Sequence, residues 1–251
     1  MHGFPDDLHL YDRLVPHLSG RQVVTFDFLG WGGSDKPEGY RQKATGQWRQ
    51  LSAVIEHLGL DEVVVVAHDA SGPPAIDWAL ADPERVSGLV LLNTYHHWML
   101  GLRPPEAIAL YATPLVRDVA RWVARRFPSV DRRLYLWQVG RFITDPEVRE
   151  AMLPGLWERF VDARPAFWSL NADLFATLGS ERAKIPSIRA FDRPVRIVFG
   201  ADDPYLNARV AKRFHELFGT SELLPIPGAR HYVQVDEPEA VARAILSIPR
   251  R

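Results

Sequence analysis

The chain has 251 residues, of which 47% are hydrophobic and 24% are charged, and its formal net charge at pH 7 is −1. This length and composition suit one globular domain of upper-range size with an inserted lobe, while the balanced charge disfavours nucleic acid and anionic membranes as partners. There is no cysteine, which excludes disulfides, thiolate metal sites and a cysteine nucleophile.

Signals for export or membrane insertion are missing from the sequence. No apolar run approaches the roughly 20 residues that span a bilayer. The first residues, Met1 to Asp7, lack the basic and apolar regions of a signal peptide. The default expectation is therefore a soluble cytoplasmic protein with no membrane partner.

The first part of the chain alternates between turn, helix and strand patterns. A turn at His2–Pro5 precedes leucines at helical spacing over Leu8–Leu18, and Gln22–Asp27 is predicted to be a strand. A glycine-rich loop follows. The apolar stripe of Trp48, Leu51, Ile55 and Leu58 then predicts a helix that ends near Gly59.

The central motif of the sequence surrounds Asp69. Four consecutive valines within Glu62–Val66 predict a strand buried on both faces, and two prolines after Gly72 open an apolar-periodic helix. Asp69 thus lies between a strand end and a helix start, where an aspartate is either a helix cap or a nucleophile. Ser71 is a poor nucleophile because Asp69 and Pro73 replace the glycines of the G-x-S-x-G motif.

A helical insertion is predicted between two groups of strands. After a strand over Val86–Leu92, residues 95–190 show helical patterns and no convincing strand. The predicted helices are Pro105–Arg126, Val130–Phe142, Pro146–Asp162 and Ala166–Arg182. Such an insertion would lie over the carboxyl ends of the strands, where parallel sheets bind ligands. The many aromatic residues of this region either pack the lobe or line a pocket.

Two further polar residues follow strands in the last part of the chain. The predicted elements there are the strands Val195–Phe199 and Glu222–Ile226 and the helices Ala208–Leu217 and Pro238–Leu246. Asp203 follows the first of these strands, with Asp202 as the alternative acid, and His231 follows the second. The order Asp69, Asp203, His231 is that of the α/β-hydrolase triad, and the alternation of strands and helices predicts an α/β fold with a mostly parallel sheet.

Four motifs resemble those of the α/β-hydrolase fold family. They are an oxyanion loop at His2–Pro5, a nucleophile elbow at Ala67–Gly72, an acid turn at Gly200–Asp203 and a histidine loop at His231–Gln234. With aspartate at the elbow, the sequence is most similar to the epoxide hydrolase and haloalkane dehalogenase branch, as is the end of the glycine-rich loop, Ser34–Pro37. The resemblance implies a core made of residues 1–94 and 191–251 and a helical cap of residues 95–190.

The resemblance also implies a mechanism. Asp69 would attack an sp³ carbon and form an alkyl-enzyme ester, and His231, oriented by Asp203, would deprotonate the water that hydrolyses the ester. The backbone N–H groups of Phe4 and Ala70 would hold the oxyanion. Neither a metal nor an organic cofactor is required. His96-His97 and Asp202-Asp203 lack a recognisable metal-ligand spacing.

A small apolar epoxide is the favoured substrate. Dehalogenases of this branch usually place tryptophan after the nucleophile, where this chain has Ala70, and some place asparagine after the His-Gly pair, where it has Phe4. Epoxide hydrolases use cap tyrosines as proton donors, and Tyr111 and Tyr135 are the candidates. A haloalkane dehalogenase and a catalytically weak binding protein of the same fold are the alternatives.

One departure from the family concerns the sheet. In the family, three strands precede the His-Gly loop, and the third lies between the strands represented here by Gln22–Asp27 and Glu62–Val66. This sequence has no such segment before the loop. Either the functional chain is longer, or these two strands pair directly, or an oligomer covers the exposed sheet edge with another chain.

Overall fold

The core of the protein is a parallel four-stranded sheet, in a computed structural model that describes residues 1–41 and 46–249. Its strands are β1 Val63–Asp69, β2 Val86–Thr94, β3 Val195–Gly200 and β4 Ser221–Ile226, in the order β1-β2-β3-β4. Every neighbouring pair is parallel. The predicted parallel α/β sheet is thus confirmed.

The helices lie between and around these strands. In chain order they are α1 Gln47–His57, α2 Gly72–Ala81, α3 Glu106–Ala112, α4 Val116–Arg126, α5 Pro128–Gly140, α6 Pro146–Ala172, α7 Leu174–Ser180, α8 Ile185–Ala190, α9 Ala208–His215, α10 Val233–Asp236 and α11 Pro238–Leu246. Helices α3 to α8 all occur between β2 and β3, as the sequence predicts. No helix of the described ranges has the length and apolar character needed to cross a membrane.

The sheet is covered on both faces because successive side chains of a strand point in opposite directions. In β2, which is buried along its whole length, Val90 and Leu92 belong to one hydrophobic core and Leu89 and Leu91 to the other. The first core includes residues of α11 and of the inserted helices, and the second includes residues of α1, α2 and α9. This burial explains the unbroken apolar run of the β2 sequence.

The inserted helices differ from the prediction at two prolines. The helix predicted over Pro105–Arg126 is divided at Pro114 into α3 and α4. The sequence indicates a break near Pro165, but α6 runs unbroken for 27 residues through it. Pro165 lacks the N–H that would bond the carbonyl oxygen of Val161, and the Arg164 side chain replaces it, with Nε donating to that oxygen at 2.8 Å. The prediction of two helices is therefore wrong.

The helix predicted over Leu8–Leu18 is also wrong. The structure has two 3₁₀ helices there, Leu8–Tyr11 and Val15–His17. Pro16 cannot donate a backbone hydrogen bond, which disfavours a continuous α-helix at this point. The spacing of the leucines still correctly indicates one buried face, because Leu10, Leu14 and Leu18 all belong to the first core.

The strand predicted over Gln22–Asp27 is the third correction. This segment forms no strand and does not pair with β1; together they line a cavity of about 310 Å³ with an apolar wall. Among the described residues, only Met1 makes backbone bonds along this side of β1: its amine donates to the Val66 carbonyl at 2.7 Å, and its carbonyl accepts from the His68 N–H at 3.3 Å. The direct pairing of the two segments is therefore excluded.

Candidate active site

Asp69 occupies a strained turn between β1 and α2. Its φ of 48° lies in the left-handed region, which a residue with a side chain rarely adopts. The hydroxyl of Thr94, on the adjacent strand, donates to the Asp69 carbonyl oxygen. Ser71, the residue before α2, makes no side-chain cap, and its hydroxyl instead accepts from the His68 N–H at 2.9 Å. The turn therefore presents the carboxylate of Asp69 at the carboxyl end of β1.

Two main-chain N–H groups hold one side of the Asp69 carboxylate. The N–H of Phe4 donates to Oδ2 at 3.2 Å, and the N–H of Ala70 is a second donor to the carboxylate. Phe4 is fixed by its ring, which packs on Trp31 with 4.2 Å between centroids. The approach is close because residue 3 is glycine: a Cβ there would lie 2.6 Å from the Asp69 Cβ. Both donors predicted from the sequence thus lie beside Asp69.

His231 lies on the other side of Asp69 and is paired with Asp203. Its Nδ1 is 2.7 Å from Asp203 Oδ2, and its Nε2 is 3.8 Å from Asp69 Oδ1. Burial alone would lower the pKa of His231, but the charges of Asp203 and Asp69 and the hydrogen bond to Asp203 raise this pKa to about 9. Asp202 is exposed, so Asp203 is the partner. The arrangement lets one carboxylate orient the imidazole while the other faces its free nitrogen.

Asp203 is held as an ionised acceptor. Its Oδ1 accepts from the N–H groups of Tyr205 at 2.8 Å and Leu206 at 3.1 Å. Burial would raise the pKa of Asp203, but the charge of His231 and these hydrogen bonds keep the pKa below its ordinary value. Burial also raises the pKa of Asp69, against the opposing effects of His231 and the two main-chain donors.

Asn93 is a site residue that the sequence reasoning missed. At the end of β2, its Nδ2 donates to Asp203 Oδ2 at 2.8 Å and its Oδ1 accepts from the Gly200 N–H at 2.8 Å. It therefore bridges the acid and the strand before it. A signal existed, because Asn93 and Thr94 are polar residues that directly follow a fully apolar run.

A largely apolar cavity of about 70 Å³ adjoins these groups. Phe4, Asp69, Ala70 and His231 line it together with side chains of α3, α5 and α6. No tryptophan of the described residues lines it. The volume exceeds the space that one water molecule requires, and its lining suits a small apolar ligand.

Four tyrosines line this cavity and differ in what their hydroxyls bind. The Tyr111 hydroxyl donates to Asp131 at 3.2 Å, that of Tyr135 to the Pro5 carbonyl at 3.5 Å, and that of Tyr205 to Glu106 at 2.6 Å. The hydroxyl of Tyr95 makes no hydrogen bond within the described part of the chain. Burial and the charge of Asp69 raise the pKa of Tyr95 well above its ordinary value. Tyr95 follows β2 directly and was not predicted.

A separate polar cluster surrounds His96. Asp77, His96 and Glu181 form the one group of the described residues whose side chains could hold a metal ion. Lys184 occupies the middle of this group, with Nζ 2.6 Å from a carboxylate oxygen of Asp77 and of Glu181. The ammonium already forms an ion pair with each carboxylate, so the cluster links α2 to the end of the inserted helices as an ion-pair network.

The fold and the strand-end residues define an α/β hydrolase. The family model of the alpha/beta hydrolase fold matches residues 1–238, and the chain belongs to this family.

Among curated relatives, the chain is 28% identical over 257 residues to hydrolase LipZ of Mycobacterium tuberculosis, covering 99% of this chain and 86% of that protein. It is 26% identical over 260 residues to haloalkane dehalogenase 2 of Mycobacterium bovis, covering 98% and 85%. Among solved structures, 2-hydroxy-6-oxo-6-phenylhexa-2,4-dienoate hydrolase from Rhodococcus superposes with a TM-score of 0.82 at 17% identity, covering 98% of this chain and 87% of that chain. This likeness shows the fold alone.

Proposed function

We propose that the protein is a hydrolase in which Asp69 is the nucleophile and forms an alkyl ester with a small apolar epoxide. One observation carries the proposal: Asp69 lines the cavity, its Oδ2 accepts from the Phe4 N–H at 3.2 Å, and its Oδ1 lies 3.8 Å from Nε2 of His231. A helix cap would instead be bonded to the first turn of α2. A carboxylate that adjoins a cavity is free to act on a ligand carbon.

The reaction balances as two displacements. In the first, an oxygen of Asp69 attacks an epoxide carbon, the C–O bond of the ring breaks, and the ring oxygen takes a proton. In the second, His231 takes a proton from water, and the resulting hydroxide attacks the Asp69 ester carbonyl. The N–H groups of Phe4 and Ala70 hold the charge that develops on the carbonyl oxygen. Collapse of this intermediate releases a vicinal diol and restores Asp69, and the proton that His231 took from water returns through solvent to the group that protonated the ring oxygen.

An opening epoxide needs an acid, and Tyr95 supplies the proton in this proposal. An alkoxide is a poor leaving group, so a hydroxyl within reach of the ring oxygen lowers the barrier. Among the cavity tyrosines, Tyr95 has the hydroxyl that makes no hydrogen bond to any described residue, whereas those of Tyr111 and Tyr135 donate elsewhere. In the free protein, the charge of Asp69 raises the pKa of Tyr95, and ester formation removes this charge. Tyr95 therefore becomes a stronger acid as the ring opens.

A haloalkane dehalogenase is the second candidate, supported by the 26% identity to haloalkane dehalogenase 2. The first displacement would be the same, with halide as the leaving group and no need for a proton. Against it, the residue after Asp69 is Ala70, and the cavity lining in the described residues offers no indole N–H for a halide. Direct acyl transfer is disfavoured because attack of Asp69 on an ester substrate would give an anhydride.

The decisive experiment is mass spectrometry of the intact His231→Gln protein after incubation with 1,2-epoxyhexane or 1-bromohexane. Loss of the base should block hydrolysis and trap the ester. The epoxide adds its complete mass, whereas the bromoalkane adds a hexyl group in place of a proton, so the two reactions are distinguished directly. The matched control is Asp69→Asn in the same background, which should add neither. A folded His231→Gln protein that gains no mass from either compound contradicts the proposal and favours a binding role.

The role of Tyr95 is tested by three tyrosine-to-phenylalanine variants, at positions 95, 111 and 135. Tyr95→Phe should slow ester formation from the epoxide by about 10²-fold, the usual scale of general acid catalysis. Formation from the bromoalkane should hardly change, since bromide leaves without a proton. If Tyr111→Phe or Tyr135→Phe shows the larger loss instead, the acid is the cap tyrosine predicted from the resemblance.

A further inference from the structure

A buried carboxyl group behind the site has no part in the reaction described above. Asp6 is 3% exposed, and one of its oxygens, Oδ1, accepts from the hydroxyl of Tyr232. The other oxygen, Oδ2, lies 3.9 Å from Nδ1 of His68. Both of these facing atoms are fully buried and have no hydrogen-bond partner within the described residues. Because buried polar atoms are normally hydrogen-bonded, we expect a proton between these two atoms.

The proton positions follow from the partners of His68. Its Nε2 lies 3.0 Å from the carbonyl oxygen of His231, which can only accept, so Nε2 carries the hydrogen. Burial holds the pKa of His68 well below its ordinary value, and the neutral ring therefore has a bare Nδ1. An ionised Asp6 would place a second lone pair opposite this nitrogen. A protonated Asp6 would offer it a donor, and the hydrogen bond forms once the two atoms approach by about 1 Å from their 3.9 Å separation.

The surroundings of Asp6 favour the protonated form. Burial raises the pKa of Asp6 to about 8; the hydrogen bond from Tyr232 opposes this rise and the charge of Asp69 adds to it. The titratable and charged groups that face Asp6 from the neighbouring elements are Asp7, Tyr11, His68, Asp69, Tyr135, His231 and Tyr232. Of these, only His231 carries a positive charge, and it is already paired with Asp203.

We propose that Asp6 is a positioning residue that works as a neutral carboxylic acid, donating to His68 Nδ1 and accepting from the Tyr232 hydroxyl. His68 then donates to the His231 carbonyl, and Tyr232 is the next residue after His231. Asp6 therefore supports the histidine loop at two points. His68 also directly precedes Asp69, so the same acid fixes the imidazole relative to the elbow. The positioning role of Asp6 rests on the proposed function, whereas the protonation state of Asp6 does not depend on that function.

The neutral form also limits the charge around His231. Asp69 and Asp203 already place two carboxylates beside this imidazole. An ionised Asp6 would add a third and would hold His231 in its protonated form, which cannot act as a base. The proposal therefore requires that Asp6 keep its proton throughout the working pH range.

The first test measures the stability of wild type, Asp6→Asn and Asp7→Asn by urea unfolding from pH 5 to pH 8, without any substrate. A carboxyl whose pKa is raised on folding binds a proton that the unfolded chain releases, so the wild type loses stability as pH rises toward about 8. Asp6→Asn has no such proton. As pH rises, the ratio of the unfolding equilibrium constant of Asp6→Asn to that of the wild type should therefore fall by up to tenfold per pH unit. Asp7→Asn removes the adjacent carboxylate, which pairs with Arg159, and should keep the wild-type slope.

The second test compares the rate of ester hydrolysis in Asp6→Asn and Asp6→Ala. The carboxamide can donate to His68 and accept from Tyr232, so Asp6→Asn should retain the wild-type rate. Asp6→Ala removes both bonds and should slow hydrolysis by roughly tenfold or more, as expected for a misplaced catalytic group. Equal pH slopes for wild type and Asp6→Asn would overturn the neutral acid, and an Asp6→Asn protein as slow as Asp6→Ala would overturn the positioning role. If no protein forms an ester, the proposed function fails while the stability comparison still decides the protonation of Asp6.

Discussion

The contact between the acid turn and the histidine loop depends on a missing side chain at Gly200. A Cβ added there would lie 2.0 Å from the Arg230 carbonyl oxygen and 2.6 Å from that of Ala229. Both atoms belong to the backbone, so no rotamer change relieves the overlap. Since real Cβ contacts essentially never fall under 3.0 Å, we expect Gly200→Ala to separate the two segments by about 1 Å, a strain of the kind that costs roughly 1–3 kcal/mol in an overpacked core.

This separation acts directly on the imidazole, because His231 follows Arg230 in the chain. An increase of about 1 Å would take the 2.7 Å distance between His231 Nδ1 and Asp203 Oδ2 beyond hydrogen-bonding range. A misplacement of that size costs about 10²-fold in rate. In the proposed cycle, attack by Asp69 does not use the base, so we expect ester hydrolysis to slow far more than ester formation.

The assay is a single-turnover experiment that follows the ester by rapid quench and intact mass, together with urea unfolding. Gly200→Ala should accumulate ester where the wild type does not. Gly219→Ala is the matched control, since a Cβ at that position meets nothing within 4 Å. Wild-type stability and a wild-type hydrolysis rate in Gly200→Ala would refute the reasoning that this glycine sets the distance between acid and base.

Three further predictions concern charge and hydrogen bonding. Folding raises the pKa of His231 to about 9, so protonation of this histidine stabilises the fold fully below its ordinary pKa near 6.5, and the stabilisation is lost as pH rises toward 9. Over this window the wild type should lose about 3 kcal/mol of unfolding free energy relative to His231→Gln, as measured by urea unfolding. Asn93→Ala leaves the Gly200 N–H without a partner and removes one of the two hydrogen bonds at Asp203 Oδ2, so it should cost about 1–3 kcal/mol and at least roughly tenfold in ester hydrolysis; unchanged values would remove Asn93 from the site. Lys184→Met leaves the buried carboxylates near His96 uncompensated and should lower the unfolding temperature, with partial recovery at acidic pH; a thermal scan at pH 5 and pH 8 checks this.

The three strand-end residues were predictable because parallel strands place their carboxyl ends at one edge of the sheet. Asp69, Asp203 and His231 each follow a strand pattern, so their convergence required only the strand order of a parallel sheet. The main-chain donors of Phe4 and Ala70 needed the family resemblance in addition, since nothing in the residue types identifies a backbone N–H as a donor.

The remaining site residues depend on contacts between distant segments. Asn93 reaches Asp203 because β2 and β3 are neighbours, which local periodicity does not reveal. Tyr95 and Asp6 stand out only when the partners of their side chains are known. The continuation of α6 through Pro165 likewise depends on the rotamer of Arg164, and the absence of a strand at Gln22–Asp27 depends on what lies beside it rather than on its own sequence.

The charges of the site suggest an order of events in the proposed cycle. In the free protein, the charges of Asp203 and Asp69 raise the pKa of His231 above its ordinary value, so the imidazole is protonated near neutrality and cannot take a proton from water. Ester formation converts Asp69 into a neutral group and removes one of these two charges. The pKa of His231 then falls at the stage at which a base is required. Alkylation would thus both create the ester and release the base that hydrolyses it, and the pH at which hydrolysis reaches half its maximum should lie below the pKa of His231 in the free protein.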